Sequence, residues 1–316
     1  MTERIFPSVL LLRNRHLADG TTLRLSGFPS ELIEGNLLSS YTRDLQRHLG
    51  QYKATRLGVT EAGAYLHKGK EVRHAHILPK ELRWLNILES YRTEIYNYVH
   101  AHKDVRLHRH FHHLNSSQAL ALNVFFPFFE GSASASSGLL RTLGVPGELK
   151  RWRCEYLPDP KEKTNVDIAW ETADGDWTYC EVKLSEQEFG QAEGEPRHLR
   201  KLDKTYSPIL RSHCSNELLD PTFFFKHYQI LRNVWLAARK PGGRALFILP
   251  SRNKALWAPL ARVLDGLDSS LRKRIHVVKL EEILAGLVHD KHNDQRLKLH
   301  AEQLTEKYVL RAASPS

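Results

Sequence analysis

Asp167, Glu181 and Lys183 are the residues whose types and spacing can do chemistry. Asp167 sits in a run where Val166, Ile168 and Trp170 alternate with it, and Glu181 and Lys183 alternate with Cys180, Val182 and Leu184. In strands, successive side chains point to opposite faces, so Glu181 and Lys183 share one face and Asp167 lies opposite its apolar neighbours. Two carboxylates held together repel, and one is driven to keep a proton unless a cation stands between them. Mg²⁺ suits such a pair, because it takes few carboxylates and keeps places for water and phosphate oxygens; Mn²⁺ can substitute. A lysine beside the ion can orient an attacking hydroxide and offset phosphate charge. That is equipment for hydrolysing a phosphodiester. Glu155, one run earlier, falls roughly opposite Asp167 if residues 158–164 form the connecting turn. It could bind a second ion or orient a water.

This convergence sets a condition on the hairpin. A two-residue turn on Asp174 and Gly175 would put Ile168 opposite Glu181 and turn Asp167 away. A three-residue loop or bulge is required, and counting one more residue into the loop pairs Asp167 with Lys183. Around this hairpin the pattern predicts strands at 150–157, 165–171 and 177–184, then a loop over 185–201 and a helix over 221–238. A strand at 244–249, a helix at 255–267, a strand at 275–279 and a helix at 280–288 follow. Ahead of them, helical spacing covers 80–100, and a helix capped by Asn115 or Ser116 runs from 117 to about 126. Pro127 and the small residues 131–138 end it as a mobile connector. Residues 291–310 make a last helix. Residues 1–80 hold strand-like runs at 8–12 and 22–25 and a helix at 40–51. The division expected is an N-terminal α/β extension over 1–80, a catalytic domain over 81–290 and a polar tail over 291–316. The whole is α/β, with a mixed sheet that begins as an antiparallel meander and continues through strand–helix–strand crossovers.

Composition narrows the partners. With 46 Lys+Arg against 36 Asp+Glu in 316 residues, the net charge of +10 favours a polyanion, nucleic acid before acidic membrane. Hydrophobic residues at 41% and charged residues at 26% exclude general disorder. Cys154, Cys180 and Cys214 form no metal-type spacing, and their odd number suits a reducing compartment. The apolar start is too short for a signal peptide, and the greasiest run, 119–129, is well short of a membrane span. A cytoplasmic protein without membrane association is expected. No phosphate-loop or glycine-rich nucleotide fingerprint is present.

These residues resemble the PD-(D/E)xK nuclease superfamily. Asp167 matches the family's aspartate, although Val166 stands where the motif's name has proline. Glu181, Val182 and Lys183 match its second half, 14 positions on. The runs from His113 to Gln118 and from Glu181 to Gly190 also look like a subgroup of restriction-endonuclease-like proteins. The resemblance covers more than half of the chain and leaves residues 1–80 outside. It implies the restriction-endonuclease core of helix, three-strand meander, helix and strand, and an Mg²⁺-dependent endonuclease acting on double-stranded DNA. It also leaves room for a homodimer and for a companion DNA methyltransferase on a separate chain. Gln229 matches a glutamine that many members place on the helix after the meander to reach the site; the tyrosine usual four residues later is absent.

Other groups carry two readings each. His110, His112 and His113, with Arg109 and nearby His102 and His108, suggest a basic surface for phosphates rather than a zinc site, because interleaved cations would repel a metal. Arg197, Arg200 and Lys201, with Lys204, read as a DNA-backbone contact or a solvated charge run. Glu186 and Glu188 either support the site or lie in a solvated loop. The Asp, Glu and Lys themselves could be a solvated ion pair on a surface hairpin. The rival functions are a same-fold nuclease in repair, element mobility or RNA processing, and a nucleic-acid-binding protein that does not cleave.

Overall fold

The computed structural model describes residues 30–310, with side chains from residue 40 onward, so the strand-like runs expected at 8–12 and 22–25 lie outside the described residues. Two sheets form. A small hairpin pairs β1 (Gly63–His67) with β2 (Lys70–His74). The main sheet contains β3 (Leu149–Tyr156), β4 (Val166–Thr172), β5 (Trp177–Val182), β6 (Arg244–Leu249) and β7 (Ile275–Lys279), in the spatial order β3-β4-β5-β6-β7. The first two pairings are antiparallel and the last two parallel, a mixed sheet flanked by helices.

The β4–β5 turn decides the faces. Thr172 N–H donates to Asp176 O at 3.0 Å and Gly175 N–H to Thr172 O at 2.9 Å, closing a three-residue loop. Its last residue, Gly175, has φ +84°, which glycine adopts without a Cβ penalty. Ile168 therefore pairs with Cys180. This corrects the expected partner: Asp167 stands beside Glu181, not Lys183. The two registers differ by two residues, so the face is the same.

Both faces of the sheet are covered. Trp152, Cys154, Ile168, Trp170, Cys180 and Val182 pack toward the Ser117–Phe129 helix. Ala169, Trp177 and Tyr179, on the other face, pack with Leu231, Val234 and Trp235 of the Tyr228–Ala238 helix. Tyr41, Leu45 and Leu49 of the Ser30–Arg56 helix join the first core together with Leu297, Ala301 and Leu304 of the Gln295–Tyr308 helix. Among the described residues no helix is long and apolar enough to cross a membrane.

Several expected elements differ. The continuous helix over 80–100 is two 3₁₀ turns, Lys80–Asn86 and Glu89–Tyr91, then a helix at Arg92–Ala101. Long-range bonds, from side chain and backbone alike, capture this segment. Asn86 Nδ2 donates to Phe111 O and His113 O, each at 2.7 Å, and Leu88 N–H donates to Asn123 Oδ1 at 2.9 Å. The helix expected to end near 126 continues through Pro127 to Phe129. Proline cannot donate to Asn123 O. His300 Nε2 bonds that carbonyl instead, at 2.7 Å.

The connector at 131–138 is largely helix, Ala133–Thr142, capped by Ser132, whose hydroxyl accepts from Ala135 N–H at 3.2 Å. Its small residues serve close packing: a Cβ at Gly138 would lie 2.2 Å from Asp290 Oδ2. The helix expected over 221–238 breaks at His227 into Pro221–Lys226 and Tyr228–Ala238. The loop over 185–201 ends in a helix, Pro196–Lys201.

Candidate active site

The carboxyl end of β5 and the facing residues of β3 and β4 form a crevice. Glu181 is 2% exposed and heavily bonded. Its Oε1 lies 3.0 Å from Lys183 Nζ and accepts from Gln229 Nε2 at 2.6 Å. Its Oε2 accepts from Asn233 Nδ2 at 3.3 Å and lies 3.6 Å from the buried Arg232 guanidinium. Asp167 Oδ2 accepts from Val182 N–H at 2.7 Å, which fixes this carboxylate against the next strand. Glu155 pairs across β3–β4 at the level of Asp167, since Cys154 and Tyr156 flank it opposite Ile168 and Val166. Its φ of +51° is a left-handed conformation that side chains other than glycine rarely adopt. Gln118 Nε2 donates to Glu155 Oε1 at 2.7 Å.

The electrostatics follow from this crowding. Burial, and then the Glu181 charge, push the Asp167 carboxyl well above the ordinary aspartate range. Burial raises Glu155 as well, helped by Glu181 and opposed by the Gln118 and Asn165 hydrogen bonds. Burial works against the Lys183 charge, but Glu181, Glu186 and Asp167 together hold its pKa above that of an ordinary lysine. Glu186 is tied back by Leu184 N–H, at 2.7 Å.

The donor set fits a hard divalent cation. Three acidic side chains crowd one crevice, and the raised Asp167 and Glu155 mark burial first and repulsion from Glu181 after it, a combined penalty that a cation would offset. No group of three or more His, Cys, Asp or Glu among the described residues could hold a metal by itself. Mg²⁺ needs no such cage, because waters and phosphate oxygens complete its shell.

Gln229 is held from both sides: its Oε1 accepts from Gly190 N–H at 2.8 Å, and its own N–H donates to Gly190 O at 3.0 Å. Asn233, Arg232 and Gln118 join the site beyond the residues expected from the sequence. Asn233 is four residues beyond Gln229, so helical spacing alone places it on the same face. Gln118 lies in the first turn of the Ser117–Phe129 helix. Its carbonyl accepts from His108 N–H at 2.8 Å and its amide donates to Arg106 O at 2.9 Å, which ties residues 106–108 to Glu155.

The groups expected to meet DNA divide. Arg109 is exposed and His110 half-buried. His112 is 3% exposed and so is withdrawn from any phosphate, a correction to its expected role. His113 is also turned inward: its Nε2 is buried without a partner, and burial with the neighbouring histidines pulls its pKa down to about 3. Arg197 pairs with Glu195 at 2.7 Å and Arg200 is exposed. Lys201 is committed to the buried Glu162, 2.6 Å away, which also accepts from Tyr206 and Tyr228. The cause is the helix that replaces the expected loop there.

No curated protein and no solved structure matches the chain. A family model does, over residues 46–309, a span that contains the whole crevice. The chain therefore belongs to the family described as restriction endonuclease associating with ARP.

Proposed function

We propose that the protein is a metal-dependent endonuclease that hydrolyses phosphodiesters of double-stranded DNA, a variant of the PD-(D/E)xK design. The observation that carries this reading is the meeting of Asp167, Glu181 and Glu155 in one crevice with Lys183 3.0 Å from Glu181. Membership of a restriction-endonuclease family supports it. Asp167 and Glu181, with Glu155 auxiliary, would hold Mg²⁺ or Mn²⁺, which would supply Lewis-acid polarisation of the scissile phosphate. Lys183 orients the attacking water and offsets charge building on the phosphate as the P–O bond to the leaving oxygen breaks. Gln229 and Asn233 keep the Glu181 carboxylate turned toward the crevice. The family's description adds ARP as a partner, beside the homodimer and the companion DNA methyltransferase for which the sequence resemblance leaves room.

A second reading, nucleic-acid binding without cleavage, is favoured by one observation. Lys183, Gln229, Asn233 and Arg232 already surround both oxygens of Glu181. A nicking assay on supercoiled plasmid separates the two. Cleavage that needs Mg²⁺ and disappears in Asp167→Ala and Lys183→Ala supports the nuclease. DNA binding with no cleavage in Mg²⁺ or Mn²⁺ supports the binder.

A further inference from the structure

The β1–β2 hairpin stands outside the main sheet, and the chemistry above gives it no task. His67 pairs with Lys70 across a two-residue turn, and both turn residues, Lys68 and Gly69, have positive φ. That is the tight turn that matches strand twist. The tip presents Leu66, 69% exposed, opposite Glu71 and beside His67, Lys68 and Lys70, all exposed. Neither Lys68 nor Lys70 has an ion pair among the described residues. Arg73 pairs with Glu71 at 2.9 Å.

The base of the hairpin is braced rather than loose. The Tyr65 ring meets those of His74, His110 and His113 at 5.9, 5.6 and 5.1 Å between centroids. Gly63 N–H donates to Ile77 O at 3.0 Å. The braced segment runs on to Asn115, which donates to Ser185 Oγ at 2.8 Å, and to Gln118, which donates to Glu155. Tip and crevice are thus joined through one packed stretch. Exposed Lys80 and Arg109 extend the basic surface at its base.

We propose that this hairpin is a groove-entering ribbon, with Lys68 and Lys70 on the phosphates of duplex DNA and Leu66 against the groove floor. The inference rests on the nuclease reading for its substrate and adds the element that grips it. A two-stranded ribbon fits the major groove, and an apolar side chain at a cationic tip is how proteins wedge into duplexes. Leu66 alone is too small an apolar patch to hold a protein partner, whereas unpaired lysines on a chain of net charge +10 call for a polyanion.

The test measures binding of the full chain to a fluorescent duplex in EDTA, across a salt series. Each phosphate contact contributes about 0.9 to the log–log slope, so Lys68→Asn/Lys70→Gln should lower it by about 1.8 and weaken binding by roughly 60-fold at 0.1 M salt. Asparagine keeps the turn, because it tolerates positive φ. Leu66→Thr should weaken binding with the slope unchanged. Lys291→Gln/Lys298→Gln, on and beside the C-terminal helix, should change neither. Parent-like slope and affinity in both hairpin variants would overturn the proposal, as would equal losses on single-stranded and duplex probes. Plasmid cleavage is scored separately. A parent that binds through the hairpin but cuts nothing refutes the nuclease reading alone, and hairpin variants that bind and cut like the parent refute this inference alone.

Discussion

Glu181 and Asp167 face each other in one crevice, yet removing their charges should move the stability of the metal-free protein in opposite directions. Glu181 is the counter-charge for two buried cations, Lys183 at 3.0 Å and Arg232 at 3.6 Å, which are 8% and 2% exposed. Glu181→Gln keeps the shape and takes from both cations their nearest anion, leaving Lys183 only the more distant Glu186 and Asp167 charges. Breaking a buried pair in this way costs about 3 kcal/mol or more, and at roughly 2–4 °C per kcal/mol for a chain of this size the melting temperature should fall by about 6–12 °C. Asp167 is the reverse case, because burial and the Glu181 charge both penalise its ionised form. Asp167→Asn retains an oxygen for the Val182 N–H and deletes the penalty, so melting should rise. Both variants should lose Mg²⁺-dependent nicking. The measurement is thermal unfolding at pH 7.5 in EDTA, beside the plasmid assay. Shifts of the same sign, or a neutral Glu181→Gln, would refute this account of the charges.

Acid should weaken the fold before most carboxylates titrate. Burial lowers His76 to about 4, His300 to about 4 and His113 to about 3, so the folded state binds fewer protons than the unfolded one below about pH 6.5. The stability they allow at pH 7 is lost as pH falls from there toward 4: roughly 2 kcal/mol each for His76 and His300 at pH 5, less for the partly exposed His113. Asp167 and Glu155 oppose this trend, and a melting temperature that is flat from pH 7 to 5 would contradict it. Gln118→Ala removes the 2.7 Å donor to Glu155 and should slow cleavage by about 10–100-fold, with a fall in melting as well because its bonds to His108 N–H and Arg106 O also go; unaltered single-turnover rates would show that Glu155 needs no such support. At Gly63 a Cβ would lie 2.2 Å from Leu78 O, so Gly63→Ala should cost about 1–3 kcal/mol, read by urea unfolding.

The meander was legible because β3, β4 and β5 alternate cleanly, and because Asp174-Gly175 signals a loop whose length fixes the face. The exact partner was not, since a three-residue loop at 173–175 and one at 174–176 leave Asp167 on the same side. What stayed hidden depends on distant residues. Nothing within 80–100 announces that Asn86 and Leu88 are claimed by 111–113 and Asn123. The small residues after Pro127 read as a linker because local sequence does not reveal Asp290 packed against Gly138. Asn233 carried its signal openly, four residues after Gln229, and the expectation of a tyrosine there obscured it. The inward turn of His112 and His113 depends on a hairpin whose strands are too short to stand out in the sequence.

The proline inside the helix at Ser117–Phe129 has a consequence in time. Its orphaned carbonyl on Asn123 is bonded by His300, and Asn86, which holds the preceding turn, takes the buried Lys307 ammonium at 2.7 Å on its Oδ1. Both donors come from the Gln295–Tyr308 helix, whereas Asp167, Glu181 and Lys183 are synthesised long before it. A growing chain can therefore carry every acidic residue of the crevice while the helix behind the sheet still lacks its last hydrogen-bond donors. The crevice acquires its rigid backing only when that final helix has emerged and docked, which would delay cutting by a nuclease until synthesis has passed it.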